Sequence, residues 1–263
     1  MKNVRLEIAD RIATVTLDRP PVHALDAVTF RELTQVFTEL GRTREASVVI
    51  FTAAGERIFC GGVDLKDSVR RHARELAEGD TTVDLLDPGA LPRDCFNAVL
   101  DCPLPVIAAV NGMAIGAGVA LVSSCDIIVA AEHATFSVPE IKAGVLGGAR
   151  HLQRLVGTYK TRRMFFTGEP VSAQEFYRLG AVEQVVPGAL LMDAARRLAG
   201  EIAAMSPIGL RLAKESMNRA EELPLKDGYR VEQDYTGRIT RYADSAEARE
   251  AYRGKRTPNW SWK

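Results

Sequence analysis

The chain lacks the features that mark several protein classes. None of its apolar runs approaches the roughly 20 uncharged residues of a membrane span, so a membrane-spanning helix is not expected. Basic residues are in no excess: 34 Lys and Arg stand against 34 Asp and Glu, the formal net charge is zero, and no basic stripe is visible. A sequence-neutral nucleic-acid binder needs such an excess to neutralise phosphates, so no nucleic-acid partner is expected. The N-terminus, MKNVRLEIADRIATVTLDRP, alternates and carries charges, unlike a signal peptide or an arginine-rich transit peptide. The four cysteines (Cys60, Cys95, Cys102, Cys125) have no C-x-x-C spacing and no paired histidines accompany them. Metal and disulfide readings are therefore weak, and reduced thiols in a cytoplasm and no metal are the expectation.

What is present is ordinary for a soluble globular protein: 46% apolar and 26% charged residues in 263 positions, enough for one substantial core or a core plus a smaller appendage. Val4–Ile8 and Arg11–Leu17 read as a hairpin in front of a Pro-Pro turn. After Asp26, a candidate N-cap, Phe30, Leu33, Phe37 and Leu40 have the spacing of one buried helix face. Ser47–Thr52, Pro105–Val110 and Asp126–Ala131 are short apolar runs without alternation, as expected of strands covered on both faces. Strands alternating with helical stretches, each ending in a glycine-rich turn, predict an α/β protein built from ββα-like units. Ser172 to Glu175 has the capping-box pattern, and Gly180 stands where a helix would end. From Leu190 onward the pattern is helical, which suggests a core over 1–200 and a helical region over 201–263. The segment Lys66–Asp101 mixes charges with scattered apolar residues and a turn at Pro88-Gly89; it reads equally as a solvated surface segment with a helix and as a cover over a site.

Two glycine turns carry the chemistry. In Arg57-Ile-Phe-Cys-Gly-Gly-Val-Asp-Leu-Lys66, adjacent glycines before a charged helix start permit a tight turn whose N–H groups can hold an oxygen anion. In Pro105–Ala120 a buried strand runs towards Gly116-Ala-Gly118 and an apolar helix whose positive end faces the turn. Either turn alone is more often close packing than a binding site. Together they permit a two-donor oxyanion hole.

These motifs, with C-D-I-I-x-A, F-x-x-P-E and the closing E-A-Y-R-G-K-R-T-P, resemble in order and spacing those of the crotonase (enoyl-CoA hydratase/isomerase) family. The resemblance runs from the N-terminal hairpin to the last ten residues. It implies a crotonase-like spiral of ββα units, followed by C-terminal helices that assemble a homotrimer or a dimer of trimers. It also implies an acyl-coenzyme A thioester as ligand, with no permanently bound cofactor. Carried over residue by residue, the oxyanion N–H groups are those of Val63 and Ala117. The Gly61 backbone falls near the adenine, and Arg57, Lys66 and Lys255 match basic residues that meet the phosphates; any one alone reads first as a solvated charge, and the phosphate role is favoured for Lys66.

The family's hydratases carry two glutamates. The P-E motif supplies Glu140, but at the other position this chain has Ala120, which cannot transfer a proton. One carboxylate suffices to move a double bond, taking a proton from C2 and returning it at C4 while the oxyanion hole holds the dienolate. An enoyl-CoA isomerase-type activity is therefore favoured over hydration. An apolar pocket is expected to raise the Glu140 pKa, whereas a structural role would pair it with Lys142 or a turn. A second departure is Gly147-Gly-Ala-Arg-His151, where relatives carry only small residues. Arg150 and His151 either turn to solvent or reach the acyl group, and His151 is a candidate second proton-transfer group. His23 reads as structural, and His72 and His133 as surface or turn residues. Alternatives that share the oxyanion hole are a hydratase using Glu140 with His151 or water, an acyl-CoA hydrolase, a decarboxylase, and a non-catalytic acyl-CoA-binding protein.

Overall fold

The computed structural model describes residues 1–67, 87 and 89–263. Most of the charged stretch after Lys66, with His72 and Pro88, lies outside the described residues. The chain opens with strands β1 (Val4–Ala9) and β2 (Ile12–Leu17), an antiparallel hairpin turning on Asp10 and Arg11, both at positive φ. Helix α1 (Ala27–Leu40) begins where expected, with the Asp26 carboxylate accepting the Thr29 N–H at 2.8 Å, and buries Phe30, Leu33, Phe37 and Leu40.

From there three successive units repeat one plan. Strand β3 (Val48–Ala53) is followed by the short β4 (Ile58–Cys60) and, after the segment outside the described residues, by helix α2 (Ala90–Leu100). Strands β5 (Val106–Val110) and β6 (Met113–Ile115) lead into α3 (Ala117–Ser123). Strands β7 (Ile127–Ala131) and β8 (Thr135–Ser137) lead through a 3₁₀ turn, Pro139–Ala143, into α4 (Ala149–Thr167). Each unit adds its first strand to one sheet and its second to another. Strand β9 (Val171–Ser172), helix α5 (Ala173–Arg178) and strand β10 (Gln184–Val186) close the series. The larger sheet has the order β1-β2-β3-β5-β7-β10, parallel from β2 onward, and the smaller runs β4-β6-β8-β9. This is the spiral of ββα turns.

The apolar runs are continuous because both faces of the larger sheet are covered. Helix α6 (Leu191–Ala203) packs Ala194, Ala195, Ala199 and Ala203 towards β3, β5 and β7. On β3, Phe51 meets Phe37 of α1 at 5.4 Å and Phe59 of β4 at 5.3 Å, both edge to face. The division suggested near residue 200 thus falls inside α6, a helix whose apolar stripe belongs to the main core; the chain next breaks at Ala204–Ser206. Helices α7 (Pro207–Ala220), α8 (Leu225–Ile239) and α9 (Ala243–Gly254) follow. Helix α7 is tied to the core by Lys214, 3% exposed, which donates to Leu104 O at 3.1 Å and to the Asp126 carboxylate at 2.7 Å. The Asp126 carboxylate also accepts the Val106 N–H, so one ion pair joins α7 to β5 and β7.

Candidate active site

The second strands of the spiral bring the two glycine turns together. Gly118, on α3, lies so close to β4 that a Cβ there would stand 2.7 Å from Cys60 O. A Cβ on Gly62 would stand 3.1 Å from Ile115 O and 3.9 Å from the Ala117 nitrogen. Any side chain at Gly118 would push α3 away and open the gap between the turns.

Within the first turn the hydrogen bonds leave one amide over. Leu25 N–H donates to Gly62 O at 2.8 Å and Asp64 N–H to Leu25 O at 2.9 Å, a parallel bridge between Leu25 and Val63. In that geometry the Val63 N–H points away from Leu25, and among the described residues it has no acceptor. Ala117 is the first residue of α3, so its N–H lacks an intrahelical acceptor for the general reason that first-turn amides do. The turn is braced by a clamp that the sequence alone did not reveal. Arg19 pairs with Asp64 at 2.8 Å and Asp26 at 3.0 Å and donates to Ala24 O. The other Asp64 oxygen accepts the N–H groups of Lys66 and Asp67, and the Arg19 hydrogen bond holds the Asp64 carboxyl below its ordinary range.

Both turns line a cavity of about 410 Å³ that also receives Glu140. The Glu140 carboxylate approaches Gly116, where φ is +54°: a Cβ there would fall 2.5 Å from Glu140 Oε1. The other oxygen, Oε2, is buried without a hydrogen-bond partner among the described residues, and burial pushes the carboxyl above its usual range, partly opposed by the residue's own N–H. Lys142 pairs instead with Glu169 at 3.0 Å, so a structural ion pair does not account for Glu140. Ala120, 1% exposed, lines the same cavity and leaves Glu140 as its one titratable side chain among the described residues. Apolar groups make up the remainder of the wall, notably Leu65, Phe96, Ile115, Val145 and Leu146 with the Gly147-Gly148 backbone.

The other sequence-nominated residues lie further out. Gly61 lines the cavity, with its N–H on Val22 O. Arg57, Lys66 and Lys255 are exposed and outside the lining, with no ion pair among the described residues; Lys255 caps α9 in the left-handed conformation. Arg150 is exposed and paired with Glu222. His151 is half-buried, outside the lining, and its ring packs on Phe96. Burial, then Arg150 and Arg154, hold its pKa below the ordinary value, which favours the neutral imidazole. His23 is structural: its ring accepts the Arg19 N–H at 3.0 Å and bonds Ala54 O at 3.0 Å. Phe96, missed in sequence, could have been nominated from the helical spacing of Leu91, Cys95 and Val99 around it.

A spiral α/β fold whose two glycine turns line one cavity with a single desolvated carboxylate fits a class able to bind a carbonyl oxygen and move a proton on the adjacent carbon. The sequence profile of the enoyl-CoA hydratase/isomerase family matches residues 7–263, and the chain belongs to this family. Among its relatives, (7aS)-7a-methyl-1,5-dioxo-2,3,5,6,7,7a-hexahydro-1H-indene-carboxyl-CoA hydrolase of Rhodococcus jostii is 39% identical over 92% of this chain and 91% of its own. Carnitinyl-CoA dehydratase of Citrobacter koseri is 35% identical over 95% of this chain and 94% of its own. The crystal structure of an enoyl-CoA hydratase from Bacillus anthracis superposes with a TM-score of 0.89 at 31% identity, covering 99% of this chain and 100% of that one.

Proposed function

We propose that the protein forms and discharges the enolate of an acyl-CoA thioester with Glu140 as its one acid–base group, and that its reaction is the migration of a double bond. The observation that carries this reading is the Glu140 carboxylate, its buried Oε2 without a hydrogen-bond partner among the described residues, in a cavity lined also by Val63 and Ala117, where Ala120 provides no second carboxylate. The two amides polarise the thioester C=O. Glu140 takes a proton from C2 of a 3-enoyl thioester, the electron pair delocalises into a dienolate, and the protonated Glu140 returns the proton at C4. No net gain or loss of atoms occurs. A desolvated carboxylate with a raised pKa suits both halves of the cycle, being a better base when charged and a ready acid when neutral. The CoA moiety is assigned to the Gly61 backbone at the adenine and to Arg57, Lys66 and Lys255 at the phosphates.

One observation favours a second reaction: the 39% identical relative is named as a hydrolase of a fused-ring dioxo acyl-CoA. The same groups support that chemistry. Glu140 would take a proton from water as its oxygen attacks a ring ketone β to the thioester. The C–C bond would break, its electron pair would become the thioester enolate held by the two amides, and Glu140 would return the proton to Cα.

A panel of a 3-enoyl-CoA, crotonyl-CoA and a cyclic β-oxoacyl-CoA separates the outcomes, with Glu140→Gln as control. Gain of conjugated-thioester absorbance identifies isomerisation, its loss from crotonyl-CoA identifies hydration, and a mass gain of one water on the cyclic ester identifies hydrolysis. Tight binding with no turnover of any ester would make this a binding protein and defeat the proposal. The exposed Met217, Leu225, Tyr229 and Tyr252 on the C-terminal helices support a homotrimer or a dimer of trimers, and a monomer in analytical ultracentrifugation would refute it. No helix among the described residues is long and apolar enough to cross a membrane; a cytoplasmic location is part of the proposal.

A further inference from the structure

We propose that His151 is a positioning residue for the acyl site: with Phe30 it fixes the ring of Phe96, and Phe96 is the wall that decides which acyl groups fit. The inference rests on the acyl-CoA reading and goes beyond it. Phe96, on α2, lines the same cavity as Val63 and Ala117. Its ring is held between two others. Phe30 of α1, 3% exposed, meets it edge to face with centroids 6.2 Å apart and planes at 79°. His151 meets it at 5.2 Å and 69°. Each contact fixes an orientation as well as a distance, because an aromatic edge is attracted to a face only over a narrow range of tilts.

The imidazole is itself anchored. His151 sits in the first turn of α4, and its backbone C=O accepts the Ser123 hydroxyl at 2.6 Å. Ser123 ends α3, the helix that begins at Ala117, so the ring position is tied to the second glycine turn. Arg154, one turn on, donates to Ser123 O and pairs with Glu221 at 2.7 Å, while Arg150 pairs with Glu222. These contacts draw the arginines towards the end of α7 and leave the imidazole facing Phe96. A ring that lies outside the described lining and packs on Phe96 does not transfer a proton to substrate. It controls the shape that substrate meets.

The test compares the wild type with His151→Ala, His151→Phe and Phe96→Leu, measuring the affinity of free CoA, butyryl-CoA and cyclohexanecarbonyl-CoA by calorimetry, and turnover of the ester identified above. His151→Ala should release Phe96 and shift the affinity ratio of the cyclic to the linear ester by about five- to tenfold in favour of the cyclic one, with free CoA unchanged. Phe96→Leu should shift it in the same direction. His151→Phe, which keeps an aromatic edge and removes every titratable atom, should restore the wild-type ratio and keep turnover. An unchanged ratio in either His151→Ala or Phe96→Leu overturns the inference. Loss of turnover in His151→Phe with acyl affinity intact also overturns it, since the imidazole would then be needed for proton transfer. Failure of the wild type to bind either ester more tightly than free CoA would refute the acyl-CoA reading itself, a result distinct from an unchanged ratio.

Discussion

Glu140→Gln tests both the chemistry and the physics of the site. The side chain keeps its size and loses its ability to accept a proton. General acid–base groups contribute about 10²–10⁴ in rate, and with Ala120 lining the same cavity no second carboxylate stands there among the described residues, so the upper half of that range is expected. The assay independent of the final reaction is exchange of the Cα protons of a saturated acyl-CoA in D₂O, followed by NMR, because exchange requires only enolate formation. In the wild type the rate should rise as pH increases through the raised Glu140 pKa, since the base must be ionised. Stability moves the opposite way. A carboxyl raised above its ordinary 4.5 favours the neutral form in the folded protein; its stabilising contribution is full below 4.5 and is lost as pH rises through the folded value. The buried, unpartnered Oε2 should therefore destabilise the wild type by about 1 kcal/mol at alkaline pH. Glu140→Gln should match the wild type in melting temperature at acid pH and exceed it by roughly 2–4 °C at pH ~8. Exchange at the wild-type rate in the variant, with acyl-CoA affinity intact, would remove Glu140 from the mechanism. A melting difference that shrinks as pH rises would refute the desolvation argument.

Three further substitutions examine the frame around it. Gly116→Ala places a methyl 2.5 Å from Glu140 Oε1 at a positive φ; it should lower turnover at least tenfold and melt earlier by an amount equivalent to about 1–2 kcal/mol, measured by calorimetry and steady-state kinetics. Ala120→Glu returns a second carboxylate to the cavity and should raise hydration of crotonyl-CoA relative to isomerisation; no gain in mass-detected hydroxyacyl product would show that no water is held between the two. Lys214→Met leaves the Asp126 charge without its partner and should cost about 3 kcal/mol in denaturant unfolding, with Lys214→Met/Asp126→Asn recovering part of the loss; an unaltered midpoint would show that the pair does not hold α7 to the core.

Much of the fold was legible in one dimension because local chemistry carried it. Asp26 caps α1, Ser172 accepts the Glu175 N–H, and Gly180 takes a positive φ, each as its local sequence suggested. The continuous apolar runs mark the inner strands, since strands covered on both faces need no alternation. Strands β4, β6 and β8 escaped notice because three residues each are too few to show a period. The reciprocal half of the capping box was misleading: Glu175 turns instead to Lys160 and Arg178, whose charges outweigh a single amide.

By itself the sequence determined the family, the order of the ββα units, the absence of a second carboxylate at Ala120 and the presence of Glu140, because these depend on which residue stands at which position in an ordered motif. Only the tertiary structure decided which groups share a cavity. Arg19 reaches Asp64, Lys214 reaches Asp126 and His151 reaches Phe96 across dozens of intervening residues. Such pairs are fixed by how whole elements pack, and side chains distant along the chain carry no local signal of their eventual neighbours. The same packing exposes Arg150, buries one oxygen of Glu140 and, among the described residues, leaves Val63 N–H without an acceptor. Those three outcomes are what the proposed chemistry rests on.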